Sequence, residues 1–314
     1  MTETKTVWYF IVNPRAGSGK TMSKWVPAER KLDRLGVGYV TAYTDHKRHA
    51  TALAHDAAAE GYRRIVAVGG DGSVHEALTG IARYCEQTGT PIKEFTLGVF
   101  PIGSGNDWIK SLGIPHDSDT VIDLIARNST SQMDLVKVHS VAGKVSYMAN
   151  IGGLGFDSHV CKRVNMQKES GRRGKRIYIN ALRYTIMNIK PISICITADG
   201  QTVHSGPCYS VALGNGCYSG SGMRQVPLAD NNDGLLDYMV VPKVPILTLV
   251  RELPRLFRGN LNESKYVVMG KCRSLRILPL DEESNDIIEL DGEIEGRIPM
   301  NIEMDDRKIN VVKP

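Results

Sequence analysis

The chain has 314 residues, of which 42% are hydrophobic and 23% are charged, and its formal net charge is +5. This composition supports a large core and favours two domains over one. The charge is too mild to argue for nucleic acid, and it fits an anionic substrate or membrane surface. Six scattered cysteines without a CxxC pair argue against a disulfide framework or zinc site.

No signal peptide or membrane span is expected, because no apolar run is long enough. The sequence therefore predicts a cytoplasmic protein, and any contact with lipid would be made from the membrane surface. The oligomeric state stays open, and a homodimer is one option.

The first 133 residues alternate between strand and helix patterns. Such alternation predicts βαβ units and a parallel sheet covered on both sides. The predicted strands cover residues 7–12, 37–43, 65–68 and 97–100, and helical patterns cover 25–35, 50–60, 74–81, 107–112 and 120–127.

After residue 133 strand patterns follow one another closely, and only two helices are predicted, near 177–188 and 246–257. This pattern predicts an antiparallel β-sandwich or barrel. We therefore assign residues 1–133 to an α/β domain and residues 134–293 to a β domain. Residues 294–314 are candidates to return to the first domain.

Three loops rich in small residues follow strands of the first domain. In an open parallel sheet, ligands bind beyond the carboxyl ends of the strands. The first loop, residues 13–20, ends in Gly19-Lys20 and is followed by Thr21, as in a Walker A motif, but Pro14 stands where that motif needs glycine. A standard P-loop NTPase is therefore disfavoured.

The second loop reads Gly69-Gly70-Asp71-Gly72-Ser73 and opens a helix. Glycines let the backbone wrap a phosphate chain, while Asp71 could face Mg²⁺ or the reacting phosphoryl group. The third loop, residues 101–108, again places small polar residues between a strand and a helix. Three such loops at one sheet edge predict a phosphate site.

These loops resemble the catalytic domain of the diacylglycerol kinase family, which includes sphingosine kinases and bacterial lipid kinases. The resemblance continues through residues 150–157 and 230–237 to Leu290-Asp291-Gly292-Glu293. It implies a phosphofructokinase-like α/β domain that holds ATP, followed by a C-terminal antiparallel β-sandwich. It also implies that a lipid hydroxyl receives the γ-phosphoryl group, with diacylglycerol the first-choice acceptor.

The resemblance assigns roles to particular residues. It makes Glu293 the general base and Asp71 the organiser of catalytic Mg²⁺. A second, structural Mg²⁺ would be held by Asp230, Asp233 and Leu235. The residues expected to bind the nucleotide are Asn13, Arg15, Gly17, Thr44, Gly69, Gly70, Gly72, Ser73, Glu76, Ser104 and Asn106.

Three positions depart from the family pattern, and one segment is strongly basic. Serine replaces threonine at Ser73 and Ser104, so the hydroxyls are kept. His75 replaces asparagine, which either alters contacts to the nucleotide or, as we expect, places the residue on the helix surface. Seven basic residues between 162 and 176 face one acid. They either contact anionic headgroups or form a solvated loop.

Other functions remain open at this point. The acceptor could be a sphingoid base or a phosphatidylglycerol-type lipid. The Gly69–Ser73 loop is shared with NAD kinases, and the fold could also carry a non-catalytic lipid-binding protein.

Overall fold

The computed structural model describes residues 4–103, 105–140, 143–170, 175–220 and 222–314. The chain forms two compact units, Met1–Leu135 with Asp306–Pro314, and Val136–Asp305. Two strands, Thr130–Ser140 and Met300–Val312, each pass from one unit into the other. The predicted boundary at residue 133 falls inside the first of these strands. Residues 294–305, which we considered for the first domain, belong to the second unit.

The first unit contains a parallel sheet in the order β2-β1-β3-β4-β17, in which only the end of β17 takes part. Its strands are β1 (Lys5–Val12), β2 (Tyr39–Tyr43), β3 (Tyr62–Gly69), β4 (Thr96–Pro101) and the last residues of β17 (Met300–Val312). Strand β4 is buried at every position, as expected for a parallel strand covered on both faces. The predicted parallel α/β domain is confirmed.

Helices connect these strands and cover them. They are α1 (Ala16–Gly19), α2 (Thr21–Arg34), α3 (His49–Ala59), α4 (Asp71–Thr88), α5 (Asp107–Ser111) and α6 (Ser118–Ala126). The strand order reverses between β1 and β3. A crevice at such a switch point is the usual ligand site of a doubly wound sheet. The first two glycine loops follow these two strands.

The second unit is mainly antiparallel. Strand β9 pairs with β8 along its first half and with β7 and β12 along its second half. The strands are β5 (Thr130–Ser140), β6 (Val145–Met148), β7 (Ile151–Gly155), β8 (Ile192–Ala198), β9 (Gln201–Gly214), β10 (Tyr218–Ser219), β11 (Met223–Arg224), β12 (Leu236–Pro242), β13 (Val268–Cys272), β14 (Ser274–Pro279), β15 (Ile287–Leu290) and β16 (Glu293–Arg297). Side chains from most of these strands form one large buried apolar cluster, as the predicted β-sandwich requires.

Helices of the second unit are α7 (Phe156–Glu169), α8 (Lys175–Asn188) and α9 (Ile246–Arg258). The prediction of only two helices here is wrong, because α7 was missed. Its sequence is mostly polar and lacks a regular apolar period, which is the main signal for a helix. Among the described residues, no helix has both the length and the apolar content of a membrane span.

Candidate active site

The first glycine loop is folded back on itself by its own polar groups. The Asn13 side chain accepts a hydrogen bond from the Arg15 N–H at 3.0 Å, and the Thr21 hydroxyl donates to the Asn13 carbonyl at 2.8 Å. Gly17 is left-handed (φ +54°), and a Cβ there would lie 2.6 Å from Cγ2 of Ile102 in the third loop. The loop therefore depends on glycine for both its conformation and its packing.

The second loop presents a bare helix N-terminus. A Cβ on Gly69 would overlap the Ser73 hydroxyl, and Gly70 precedes α4 without any side-chain cap. The Ile102 N–H donates to the Gly69 carbonyl at 2.7 Å, which ties this loop to the third. Because α4 has 18 residues, its N-terminus carries the partial positive charge of a full helix. Backbone and dipole together suit a phosphate group.

Asp71 joins the second and third loops. Its two carboxylate oxygens accept the backbone N–H groups of Asp107 and Trp108, each at 3.0 Å. These donors belong to the first turn of α5, so the Asp71 carboxylate also acts as a cap for that helix. Asp71 thus has a clear structural role beside any role toward a cation.

Glu76 holds the loop after β2. Its carboxylate accepts the N–H groups of Arg48 and Ala50, both at 3.1 Å, at the start of α3. Thr44, in the same loop, is half-buried and donates its N–H to the Val12 carbonyl at 2.9 Å. Glu76 therefore positions the segment that carries Thr44, and its predicted contact with the nucleotide stays a prediction.

The third loop is organised around Asn106. This residue is buried and left-handed (φ +47°), and its side-chain N–H donates to the Gly103 carbonyl at 3.2 Å. Its Oδ1 lies 3.6 Å from the position of a Cβ on Gly70, so the second and third loops converge. Ser104 lies outside the described residues.

His75 departs from the sequence-based expectation. We predicted a place on the helix surface, but the residue is only 4% exposed. The prediction is wrong because α4 is buried along most of its first ten residues, including Ser73, Val74 and Ala77. Position 75 therefore belongs to the packing of α4.

The second unit holds Glu293 beside an anchored turn. Asp291 in this turn is left-handed (φ +52°), and its carboxylate accepts backbone N–H groups from Ala149, Asn150 and Ile151 at 2.8 to 3.2 Å. Glu293 begins β16 and is paired in register with Leu290. The Asp291 anchor therefore fixes where the Glu293 backbone lies.

Helix α7 lies against the same turn. The Gly292 carbonyl accepts hydrogen bonds from the Cys161 thiol and the Asn165 amide, both at 3.0 Å. Asp157 stands one helical turn before Cys161, about 6 Å along the helix axis. Helix α7 thus links the Glu293 turn to the surroundings of Asp157.

Asp157 lines an apolar cavity that sequence reasoning did not identify. Its carboxylate accepts hydrogen bonds from Ser210 and Gln225, and burial raises the pKa of this carboxyl to about 6 against the opposing effect of those two donors. The cavity is lined by Phe156, Asp157, Ile186, Ile189, Tyr209, Ser210, Gln225, Met239, Val241, Val244, Leu249, Glu252, Leu253, Leu256, Leu261, Tyr266 and Val267. Asp157 belongs to the segment 150–157 of the family resemblance, which assigns it no role.

The cavity has a volume of about 70 Å³. One water needs roughly 10–15 Å³ by this measure, so the space is several times larger than a single solvent site. Its walls are mostly aliphatic and aromatic side chains. A largely apolar cavity with a few convergent polar groups is the usual form of a small-molecule site.

The predicted structural Mg²⁺ site contains a lysine. Lys271 Nζ lies 2.6 Å from Asp233 Oδ2 and 3.3 Å from Asp237 Oδ2. The other Asp233 oxygen accepts the Leu235 N–H at 3.0 Å, and Asp230 accepts the Asn232 N–H at the same distance. Burial raises the pKa of Asp237 to about 6, although Lys271 opposes the shift.

The basic segment between 162 and 176 is described only in part. Lys162 and Lys168 are exposed on α7, whereas the Arg163 guanidinium stacks 3.4 Å from the centre of the Tyr184 ring. Arg172 and Arg173 lie outside the described residues, as do the side chains of Lys175 and Arg176. Arg163 therefore has a packing role between α7 and α8.

Comparisons with known proteins agree with this architecture. Residues 7–138 match the diacylglycerol kinase catalytic domain, and residues 151–313 match the YegS C-terminal NAD kinase beta sandwich-like domain. The curated diacylglycerol kinase of Mycobacterium tuberculosis (strain ATCC 25618 / H37Rv) is 26% identical over 97% of this chain and 94% of its own length. The diacylglycerol kinase of Bacillus subtilis (strain 168) is 26% identical over 97% of this chain and 95% of its own.

A solved structure shares the fold. The crystal structure of a diacylglycerol kinase from Bacillus anthracis str. Sterne superposes with a TM-score of 0.75 at 24% identity, over 98% of this chain and 97% of that one. The two domain matches together span most of the sequence in the order that the loops predicted. The chain therefore belongs to the diacylglycerol kinase family and is a kinase.

Proposed function

We propose that this protein is an ATP-dependent lipid kinase that transfers the γ-phosphoryl group of ATP to a lipid hydroxyl, with diacylglycerol as the first-choice acceptor. The observation that carries the proposal is the apolar cavity with Asp157 in its wall. An NAD kinase needs a polar pocket for a dinucleotide. A cavity with mostly aliphatic walls instead favours an acceptor with hydrocarbon chains.

Polar groups at the cavity suit a hydroxyl head. Gln225 is 3% exposed and lines the cavity; its amide N–H donates to Asp157, while its Oε1 has no hydrogen-bond partner among the described residues. A buried acceptor without a donor costs free energy that a ligand hydroxyl can recover. A lipid alcohol supplies both the donor and the apolar body.

The first unit fits the phosphates of ATP. The bare N-terminus of α4 and the left-handed turn at Gly17 present backbone to an anion, and Gly69 and Gly70 leave no Cβ in its way. Asn106 lies where the second and third loops converge, beside Gly70. In this proposal Asn13, Arg15, Ser73 and Thr44 complete the nucleotide site, with Glu76 holding the Thr44 segment in place.

Asp71 fits a water-mediated contact with Mg²⁺. Two backbone N–H groups hold its carboxylate at the junction of the second and third loops, beside the loops that present backbone to the phosphates. Mg²⁺ usually keeps several waters and binds nucleotide phosphates, where it neutralises charge during transfer. Asp71 would therefore orient water molecules around the cation.

Glu293 serves as the general base in this proposal. The hydroxyl oxygen of the lipid forms a bond to the γ-phosphorus, the bond to the ADP oxygen breaks, and the hydroxyl proton passes to the Glu293 carboxylate. The Asp291 anchor holds the turn that carries Glu293, and α7 braces that turn through Cys161 and Asn165.

The test is incubation of the full chain with γ-labelled ATP, Mg²⁺ and, separately, diacylglycerol, a sphingoid base, phosphatidylglycerol and NAD. We expect label in the organic phase with diacylglycerol. Label on phosphatidylglycerol or the sphingoid base keeps the lipid kinase and changes its acceptor. Label on NAD alone, or on nothing, contradicts the proposal.

A further inference from the structure

Helix α9 carries three different surfaces around its axis. At 100° per residue, Leu249, Leu253 and Leu256 share one face, and all three line the apolar cavity. Ile246, Val250 and Phe257 form the adjacent row and are 47%, 45% and 58% exposed. The next row is basic, with exposed Arg251 and Arg258. The order around the helix is therefore cavity, exposed apolar row and basic row.

A second helix contributes an exposed apolar residue near the same cavity. Ile186 on α8 and Ile189 just beyond it line the cavity, and Met187 between them is 81% exposed. We call Met187 together with Ile246, Leu247, Val250 and Phe257 the apolar rim. Clustered exposed apolar side chains usually mark an interaction surface.

Charge and continuity with the cavity favour one partner, an anionic lipid bilayer. Helices that lie in a membrane interface combine a large apolar face with a basic flank, as α9 does. Each basic residue near an anionic surface strengthens binding by about fivefold. Arg255 contributes less to binding at an anionic surface, because its charge is paired with Glu252 at 3.2 Å and with Glu263 at 3.3 Å.

We propose that the apolar rim inserts into the headgroup region of an anionic membrane, so that the cavity opens toward the lipid chains. The use of the cavity rests on the proposed function, but docking itself does not require phosphoryl transfer. The membrane contact is thus made by α9 and the end of α8, in addition to any contribution of the segment between 162 and 176.

The test is sedimentation of the full chain with vesicles, without ATP. Vesicles of phosphatidylcholine with about a third phosphatidylglycerol are compared with pure phosphatidylcholine. The double variant Val250→Ser/Phe257→Ser removes apolar area at two exposed positions. We expect it to weaken binding at least tenfold, since burial of either side chain contributes about that factor. Arg251→Gln/Arg258→Gln should weaken binding mainly at low salt.

Leu280→Ser is the matched control, because Leu280 is 51% exposed and lies outside the rim. It should bind as the wild type does, and all variants should keep the wild-type unfolding temperature. The proposal is overturned if the wild type ignores anionic vesicles, or if the rim variant binds them unchanged. A wild-type dimer that the rim variant converts to a monomer would also overturn it, because a second copy then covers the rim. Retained docking with no labelled lipid would contradict only the proposed function.

A separate observation concerns the loop predicted to hold structural Mg²⁺. Lys271 stands opposite Asp237 in the β12–β13 ladder, and its ammonium reaches both Asp237 and Asp233. The Asp233 carboxylate is thereby engaged on both oxygens, by Lys271 and by the Leu235 N–H. A divalent cation bound there would also lie beside an ammonium of the same sign.

We infer that the Lys271 ammonium is the resident cation of this loop, and that the residues do not fit a second Mg²⁺ while it is in place. Mg²⁺ demands near-octahedral oxygen ligands at about 2.0–2.1 Å, whereas an ammonium is satisfied by the two carboxylates present. The lysine side chain links the loop to β13 as a shared metal ligand would.

The unfolding temperature of the nucleotide-free protein in EDTA and in millimolar MgCl₂ tests this inference, with KCl of equal ionic strength as reference. The wild type should show no Mg²⁺-specific shift. Lys271→Met should unfold several degrees lower in EDTA and recover with Mg²⁺, and adding Asp233→Asn should abolish the recovery. A wild-type Mg²⁺ shift that Asp233→Asn removes, or no recovery in Lys271→Met, overturns the inference.

Discussion

The glycine loops of the first unit and the cavity of the second unit use carboxylates in opposite ways. Asp71 and Glu76 each accept two backbone N–H groups, so their oxygens build the scaffold of the loops. Asp157 accepts hydrogen bonds from the side chains of Ser210 and Gln225 in an apolar wall, and burial raises its pKa to about 6. The surrounding donors, more than the residue type, decide whether a carboxylate serves structure or a ligand.

The largest expected effect is that of substituting Glu293, since its proposed role is to accept a proton and not to support the fold. Glu293→Ala should lower kinase turnover by roughly 10²- to 10⁴-fold, the usual contribution of a general base. The unfolding temperature should stay near the wild-type value, because Asp291 anchors the turn. Steady-state rates with labelled ATP measure the effect. Exposed Glu283→Ala is the matched control, and near-wild-type turnover in Glu293→Ala would refute the role.

Asp157 should make the free energy of unfolding depend on pH. Its carboxyl pKa is raised from 3.8 to about 6 in the folded state, so the native protein holds this proton more tightly than the unfolded chain. The resulting destabilisation is absent below about pH 4, grows between pH 4 and 6, and is complete above pH 6. It amounts to up to about 3 kcal/mol, an upper bound because the side chain keeps some solvent access through the cavity.

Asp157→Asn removes that titration and keeps the shape. The two proteins should therefore have similar free energies of unfolding at pH 4, and the variant should be the more stable at pH 8. Urea unfolding across this range measures the difference. A difference that does not change with pH would mean that Asp157 is not the desolvated group we describe.

Substitution of Glu76 should have the smallest effect of the three. It distinguishes a role in positioning the loop after β2 from direct contact with the reacting groups. Glu76→Ala removes the acceptor for the Arg48 and Ala50 N–H groups and should lower the free energy of unfolding by about 1–2 kcal/mol, as loss of a helix cap does. If its role is only to position the loop after β2, the KM for ATP should rise more than kcat falls. A large loss of kcat with unchanged stability would instead indicate direct contact with the reacting groups.

The sequence revealed the first unit well because its signals are local. Each glycine loop lies within about eight residues, directly after an apolar strand, and the order of strands and helices follows from their spacing. The structure was needed only for the surroundings of individual side chains. Sequence placed His75 at the helix surface, whereas the imidazole is buried. It also did not reveal that the Glu76 carboxylate accepts N–H groups at the start of α3.

The cavity of the second unit could not be predicted from the sequence, because it is assembled from segments that are distant along the chain. Its lining runs from Phe156 to Val267, across α7, β9 and α9, and no short motif contains it. Helix α7 itself was hidden by its polar sequence. The contact between Lys271 and Asp233 depends on the β12–β13 register, which turn residues and alternation did not specify.

The most direct test of a lipid kinase is the fate of the γ-phosphoryl group in a natural lipid mixture. The full chain is incubated with labelled ATP, Mg²⁺ and a total lipid extract, and the labelled product is identified by mass spectrometry. We predict a single class of phosphorylated lipid alcohol that disappears with Glu293→Ala. Label confined to water-soluble products, or lipid labelling that survives Glu293→Ala, would contradict the account.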